Sequence, residues 1–195
     1  MEKILVSACL LGERCRYDGK DNKTDYLAVL NEHFDLVPFC PEVVGGLPTP
    51  RPRSEIKGSQ VINEHGKLVT REFERGAYKA LEVCSYLGIT KAILKEDSPS
   101  CGTHTIHDGF FRNKKIPGMG RTAELLKSKG IEVMNEDEGK AFLDAYLEHL
   151  STKPAYVEKE ESKPRDKDGF KRHQYKVTKD RIEASKKKGF YKKKR

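Results

Sequence analysis

Along the first 150 residues, short apolar runs rich in branched side chains alternate with longer stretches of helical spacing. Lys3–Ala8 predicts a first strand that ends at Cys9. Residues 10–23 are rich in Gly and charge and read as a loop. Asp25–His33 sets Tyr26, Leu27, Val29 and Leu30 at helical spacing. Phe34–Phe39 predicts a second strand, ending at Cys40. Cys40–Arg53 holds two adjacent glycines and four prolines, which predicts a stiff loop without a regular element. Ser59–Asn63 and Lys67–Val69 resemble two short strands about the turn Glu64-His65-Gly66.

Thr70 is positioned to cap a helix whose apolar stripe runs from Phe73 to Leu87, with Gly88 at its end. Lys91–Lys95 predicts a third strand and Thr122–Lys129 a helix that Gly130 stops. Ile131–Met134 predicts a fourth strand. Glu136–Leu150 predicts a closing helix buried through Phe142, Leu143, Tyr146, Leu147 and Leu150. Strands alternating with helices predict an α/β fold, with a mainly parallel sheet flanked by helices in a Rossmann-like three-layer arrangement.

Charge divides the chain. Residues 151–195 carry 17 Lys or Arg against 7 Asp or Glu, a balance of +10, and residues 1–150 balance at −2. The expected organisation is one domain over residues 1–150 and a basic, flexible tail over 151–195, disordered or marginally helical. Phe170, Tyr175, Phe190 and Tyr191 are interleaved with the tail's Lys and Arg. Such a segment neutralises phosphates and stacks on unpaired bases, or merely solubilises. No apolar run is long enough to cross a bilayer, and no cleavage pattern follows the first strand. The expectation is a cytoplasmic protein with no membrane partner, in which five cysteines are ligands, reactive thiols or small buried residues rather than disulfides.

The cysteines sort by position. Cys9 and Cys40 each follow a predicted strand directly, and Cys101 follows the third after a short loop. Ligands collect at the carboxyl ends of parallel strands, so the three thiols converge at one sheet edge if the strands are neighbours. Three thiolates suit a metal or an iron–sulfur cluster with one coordination position left open. The competing reading is three small buried residues. Cys84 lies on the apolar stripe and reads as core; Cys15 is open between fourth ligand, sulfur relay and bystander. Glu42 is suited to hold or deliver a proton beside Cys40, and Ser98 and Ser100 to bind a substrate oxygen. Arg16, Arg51 and Arg53 are suited to clamp an anion or a polar ring. His104 and His107 read as structural or substrate-contacting rather than as metal ligands.

Ser7-Ala8-Cys9-Leu10-Leu11-Gly12 with Cys15-Arg16-Tyr17-Asp18-Gly19 resembles the opening of the DUF523 family. So do Cys40-Pro41-Glu42-Val43, Gly45–Arg51, Ser98-Pro99-Ser100-Cys101-Gly102 and Asp108-Gly109-Phe110. The resemblance covers residues 1–150 and leaves out the tail. It implies a [4Fe–4S] cluster held by Cys9, Cys40 and Cys101, with the fourth iron open. It implies removal of sulfide from 2- or 4-thiouracil, with Glu42 as proton carrier or water activator and Ser98 assisting. It leaves the substrate as free base, nucleoside or base within tRNA, the last reached through the basic tail. Two other classes stay open on the residues alone. One is an RNA-binding protein with a structural metal or cluster, and the other a thiol enzyme using Cys15 or Cys101.

Overall fold

The computed structural model describes residues 1–152; the expected basic tail lies outside them. The chain divides into two units, Met1–Asp144 and Ala145–Arg195. The first unit is built on a four-stranded, wholly parallel sheet in the order β2-β1-β5-β8. Its strands are β1 (Lys3–Ser7), β2 (Asp35–Phe39), β5 (Lys91–Ile93) and β8 (Glu132–Met134). Leu5 faces Val37 on one side and Ala92 on the other, and Ala92 faces Val133. After β1 the chain winds outward to β2, then returns to the other side of β1 for β5. That reversal makes the carboxyl ends of β1 and β5 a topological switch point, where such sheets bind ligands.

The alternation of side chains assigns the two faces. Leu5 and Ala92 join Ala80, Cys84, Ala123 and Leu126 in one core, formed under α3 (Thr70–Leu87) and α4 (Arg121–Ser128). Ile93 points the other way, toward α5 (Glu136–Thr152), where a Cβ on Gly139 would lie 2.9 Å from its Cγ2. Phe34 and Phe142 stack on the same side with ring centroids 5.4 Å apart. The α/β sheet flanked by helices is therefore as expected. Asn135 opens α5 with a reciprocal cap: its Oδ1 accepts from Glu138 N at 2.8 Å, and its own N–H donates to Glu138 Oε2 at 2.9 Å. Leu143 is buried, but Leu150, expected in the core, is exposed.

Three local expectations are corrected. Pro41–Val44 is a single helical turn, α2, rather than loop; Pro41 occupies its first position, where a missing N–H costs nothing. The hairpin pairs β3 (Ser54–Lys57) with β4 (Gln60–Asn63), and residues 67–69 contribute only an isolated bridge from Leu68 to Ile62. Thr70 does not cap α3; its hydroxyl accepts from Val61 N at 2.9 Å and so fastens the helix to β4. A second hairpin pairs β6 (Thr105–His107) with β7 (Lys115–Pro117), so His107 ends β6 and His104 precedes it. Among the described residues no helix is long and apolar enough to cross a membrane.

Candidate functional site

Each candidate thiol is placed by the strand before it. Cys9 lies in the 3-10 turn Ala8–Leu11 that continues β1, and its carbonyl accepts from Gly12 N and Asn22 N. Cys40 leaves β2 in extended geometry and starts α2. That turn sits backbone to backbone on α3: a Cβ on Gly45 would be 2.1 Å from Glu72 O, and one on Gly76 2.0 Å from Pro41 O. The two glycines thus fix where Cys40 and Glu42 stand. Cys101 follows β5 in a loop whose carbonyls take the first amides of α4, with Thr122 N to Ser100 O at 2.8 Å. Gly120 permits that approach, since a Cβ there would be 2.5 Å from Ser100 O.

The loops surround a cavity of about 330 Å³ at the carboxyl ends of β1, β2 and β5. Cys9, Cys15, Cys40 and Cys101 all line it, as do Glu42, Ser98, Arg16, Arg51 and Arg53. All five cysteines are free thiols, and Cys84 is buried in the core between α3 and the sheet. The Cys40 thiol is pulled down to about 7, chiefly by hydrogen bonding with Cys15, against burial. Cys9 is lowered by the same partner, and Cys15 is raised by its bonds to Cys40 and Cys9. Burial pushes Cys101 up, partly opposed by a hydrogen bond with Ser7. Cys84 is pushed up to about 11 by burial alone.

Glu42 is held from two sides. Arg51 Nε donates to its Oε2 at 2.8 Å, in a pair whose side chains are 4% and 15% exposed. Ser98 Oγ lies 3.5 Å from Oε1. The same hydroxyl accepts from Ser100 N and Cys101 N, each at 3.1 Å. With its lone pairs so engaged, its hydrogen is left for Glu42.

Several residues expected to contact substrate are tied into the surrounding loops. Arg51 is buried, and its Nη1 donates to Cys15 O, Pro48 O and Thr49 Oγ1 at 3.0, 3.3 and 3.2 Å. It locks the Cys15 loop to the proline-rich loop, which contains a cis Thr49–Pro50 bond. Arg16 is engaged by Asp18, Asp21 O and Asn22. Arg53 Nη2 stands 2.7 Å from the buried Glu55 carboxylate. Ser100 is fully buried and off the cavity wall, its hydroxyl 2.9 Å from Thr122 Oγ1. His104 is exposed beside Glu138, at 2.9 Å. His107 does line the cavity, and its Nδ1 is buried without a hydrogen-bond partner among the described residues.

Sequence reasoning missed Ser7, Asn22 and Glu96. Ser7 Oγ accepts from Lys95 N at 3.0 Å and ties the ends of β1 and β5. Asn22 Nδ2 donates to Cys9 Sγ at 3.6 Å. Glu96 accepts from Thr103, His104 and Thr105, including Thr103 Oγ1 at 2.6 Å and Thr105 N at 2.7 Å. Burial works against its charge, but those bonds hold the carboxyl down at about 2. None of the three has a local sequence signal, because each acts on a residue of another loop or strand.

Four sulfur donors on one cavity form a soft ligand set, suited to iron or another thiophilic centre. Among the described residues no three His, Cys, Asp or Glu side chains are arranged to hold one metal ion. An iron–sulfur cluster does not require that, since each iron takes its own thiolate. The model of the family described as 2-thiouracil desulfurase matches residues 4–138, which include every one of these cavity residues.

The chain belongs to the 2-thiouracil desulfurase family.

A family-length relative is the uncharacterized protein YbbK of Bacillus subtilis (strain 168), 41% identical over 145 residues. That match spans 69% of this chain and 96% of YbbK. Among solved structures the chain is similar to the [4Fe–4S]-dependent thiouracil desulfidase TudS, a DUF523 protein, at 46% identity and a TM-score of 0.70. The likeness covers 77% of this chain and 99% of TudS. The 2-thiouracil desulfurase fold thus accounts for the sheet and its site loops.

Proposed function

We propose that this chain is a [4Fe–4S]-dependent desulfidase that converts a thiolated pyrimidine to its oxo form and releases sulfide. The observation that carries the reading is the shared cavity: four thiols and the Glu42–Ser98 pair at the switch point of the sheet. Family membership and the likeness to TudS support the same chemistry. Cys9, Cys40 and Cys101, each following a strand of the parallel sheet, hold the cluster. Cys15, which follows no strand and lies in the loop after the Ala8–Leu11 turn, is left off the iron.

When bound, the cluster supplies an open iron, a soft Lewis acid for the thiocarbonyl sulfur that makes the ring carbon more electrophilic. The protein manages the water. Arg51 fixes the rotation of the Glu42 carboxylate by taking Oε2, which leaves Oε1 to accept a proton from the attacking water. Ser98 Oγ–H points to that same oxygen and orients it. Water oxygen enters as sulfur leaves as hydrogen sulfide, so no electron donor is consumed. His107 Nδ1 offers a contact to a ring heteroatom of the substrate. The substrate is 2- or 4-thiouracil as free base, as nucleoside or within tRNA. The tRNA form rests on the basic tail, outside the described residues, and the reading sets the reaction in the cytoplasm.

The test is anaerobic reconstitution followed by incubation with 2-thiouracil and 4-thiouracil. Equimolar uracil and sulfide are expected from at least one of them. Full iron loading without sulfide from either overturns the substrate, and failure to load iron overturns the cluster.

A further inference from the structure

Asn22 belongs to no recognised motif, yet it is fixed at both ends against Cys9. Its backbone N–H donates to Cys9 O at 2.9 Å. Its side-chain Nδ2 donates to Cys9 Sγ at 3.6 Å, ordinary for a bond to sulfur. At the other end of the amide, Oδ1 accepts from Arg16 Nη1. Arg16 is held in turn by Asp18 through two parallel bonds, Nε to Oδ1 and Nη2 to Oδ2, both 3.0 Å. Its Nη1 also reaches Asp21 O at 3.4 Å. Asp18 is steadied by the N–H of Lys20 at 3.2 Å.

This chain of contacts has a direction. A guanidinium has donors and no acceptor, so the amide atom facing Arg16 must be oxygen. That leaves the NH2 group facing sulfur, and the choice of amide rotamer follows from the network. The Asp18–Arg16 fork also prevents the amide from turning over. Cys9 thereby receives a fixed N–H donor that neither Cys40 nor Cys101 receives from any side-chain amide among the bonds described.

We infer that Asn22 is a positioning residue for Cys9, its amide aimed by the Asp18–Arg16 pair so that Nδ2–H hydrogen-bonds the sulfur Cys9 presents to the cluster. The inference rests on the reading of Cys9 as a ligand. A hydrogen bond to a ligating sulfur draws electron density from it, which raises the reduction potential and leaves the iron more electrophilic. Both effects favour capture of a thiocarbonyl sulfur. The bond also orients the side chain, so its loss weakens retention of the cluster.

Asn22→Asp removes the donor. The carboxylate has nearly the same shape and still accepts from Arg16, but has no hydrogen for Sγ. In the full chain, reconstituted anaerobically, this variant is expected to show a lower reduction potential than the parent. Iron release to a chelator should be faster by about tenfold, with the melting temperature of the cluster-free protein unchanged. Asn22→Leu, which removes the donor without adding charge, should shift both readouts in the same direction. Arg16→Met, which frees the amide to turn over, should move both readouts the same way by less, and serves if Asn22→Asp fails to fold. Cys9→Ser in the same series separates the two claims. If Cys9→Ser keeps its iron and its spectrum, the ligand reading is wrong. If Cys9→Ser loses iron while Asn22→Asp keeps the parental potential and release rate, Asn22 does not position the ligand.

Discussion

Cys84 and Cys101 are both buried thiols whose charged form burial disfavours. They sit in regions held together in different ways. Cys84 faces apolar neighbours on α3 and the sheet, and packing alone accounts for it. Cys101 has one side in that same core and the other on the cavity, where its backbone N–H is bound by Ser98 Oγ. The sheet and its helices are joined by non-directional burial, with Ile4, Leu30, Phe73, Ala80, Ile93 and Leu126 fully enclosed. The site loops are joined by directed polar contacts through a few hubs: Arg51, Glu96, Ser98 and Arg16. A core accepts substitutions that conserve volume. A buried polar network fails when one donor is removed, because its partner is left unsatisfied.

The largest effect expected from breaking that contrast is on turnover. Glu42→Gln keeps the shape and one acceptor but cannot take a proton. Iron content should match the parent while kcat falls by about 10²- to 10⁴-fold. Parental turnover in an iron-replete Glu42→Gln would remove the carboxylate from the reaction.

Next in size is a pair of substitutions to Met, one in each region. Arg51→Met removes the buried partner of a largely enclosed pair, and should cost about 3 kcal/mol in chemical unfolding. It should also loosen the Cys15 loop. Leu94→Met, at a core position equally hidden, should cost less than about 1.5 kcal/mol. Equal costs would erase the distinction between the two regions.

The smallest effect is one of pH. The folded Glu96 carboxyl sits at about 2, well below its ordinary 4.5. Its contribution is complete above about pH 4.5 and is lost as pH falls toward 2. The melting temperature of the parent should therefore drop more steeply over that interval than that of Glu96→Gln. Identical slopes would show that Glu96 is not what pins the Thr103–Thr105 segment.

The same physics explains what the sequence reveals. The core is legible because apolar periodicity is a local property: β1, β2, α3 and the Cys84 stripe follow from neighbours a few residues apart. The convergence of Cys9, Cys40 and Cys101 is legible through a rule of topology, since each follows a parallel strand. Arg51, Ser100 and Asn22 are not legible, because their roles lie in pairings across the chain. Arg51 binds the carboxylate of Glu42 and the carbonyl of Cys15, and Ser100 meets Thr122. The turn at Pro41–Val44 hid for another reason. Two glycines and four prolines signal a loop, whereas Gly45 and Gly76 serve to seat α2 on α3.

The most direct test of the account is iron and acid-labile sulfide content after anaerobic reconstitution of five single variants. Cys9→Ala, Cys40→Ala and Cys101→Ala should each lose the cluster, while Cys15→Ala and Cys84→Ala should each keep about four irons per chain. A cluster retained in any of the first three, or lost in Cys15→Ala, would contradict the assignment of three ligands and one open iron.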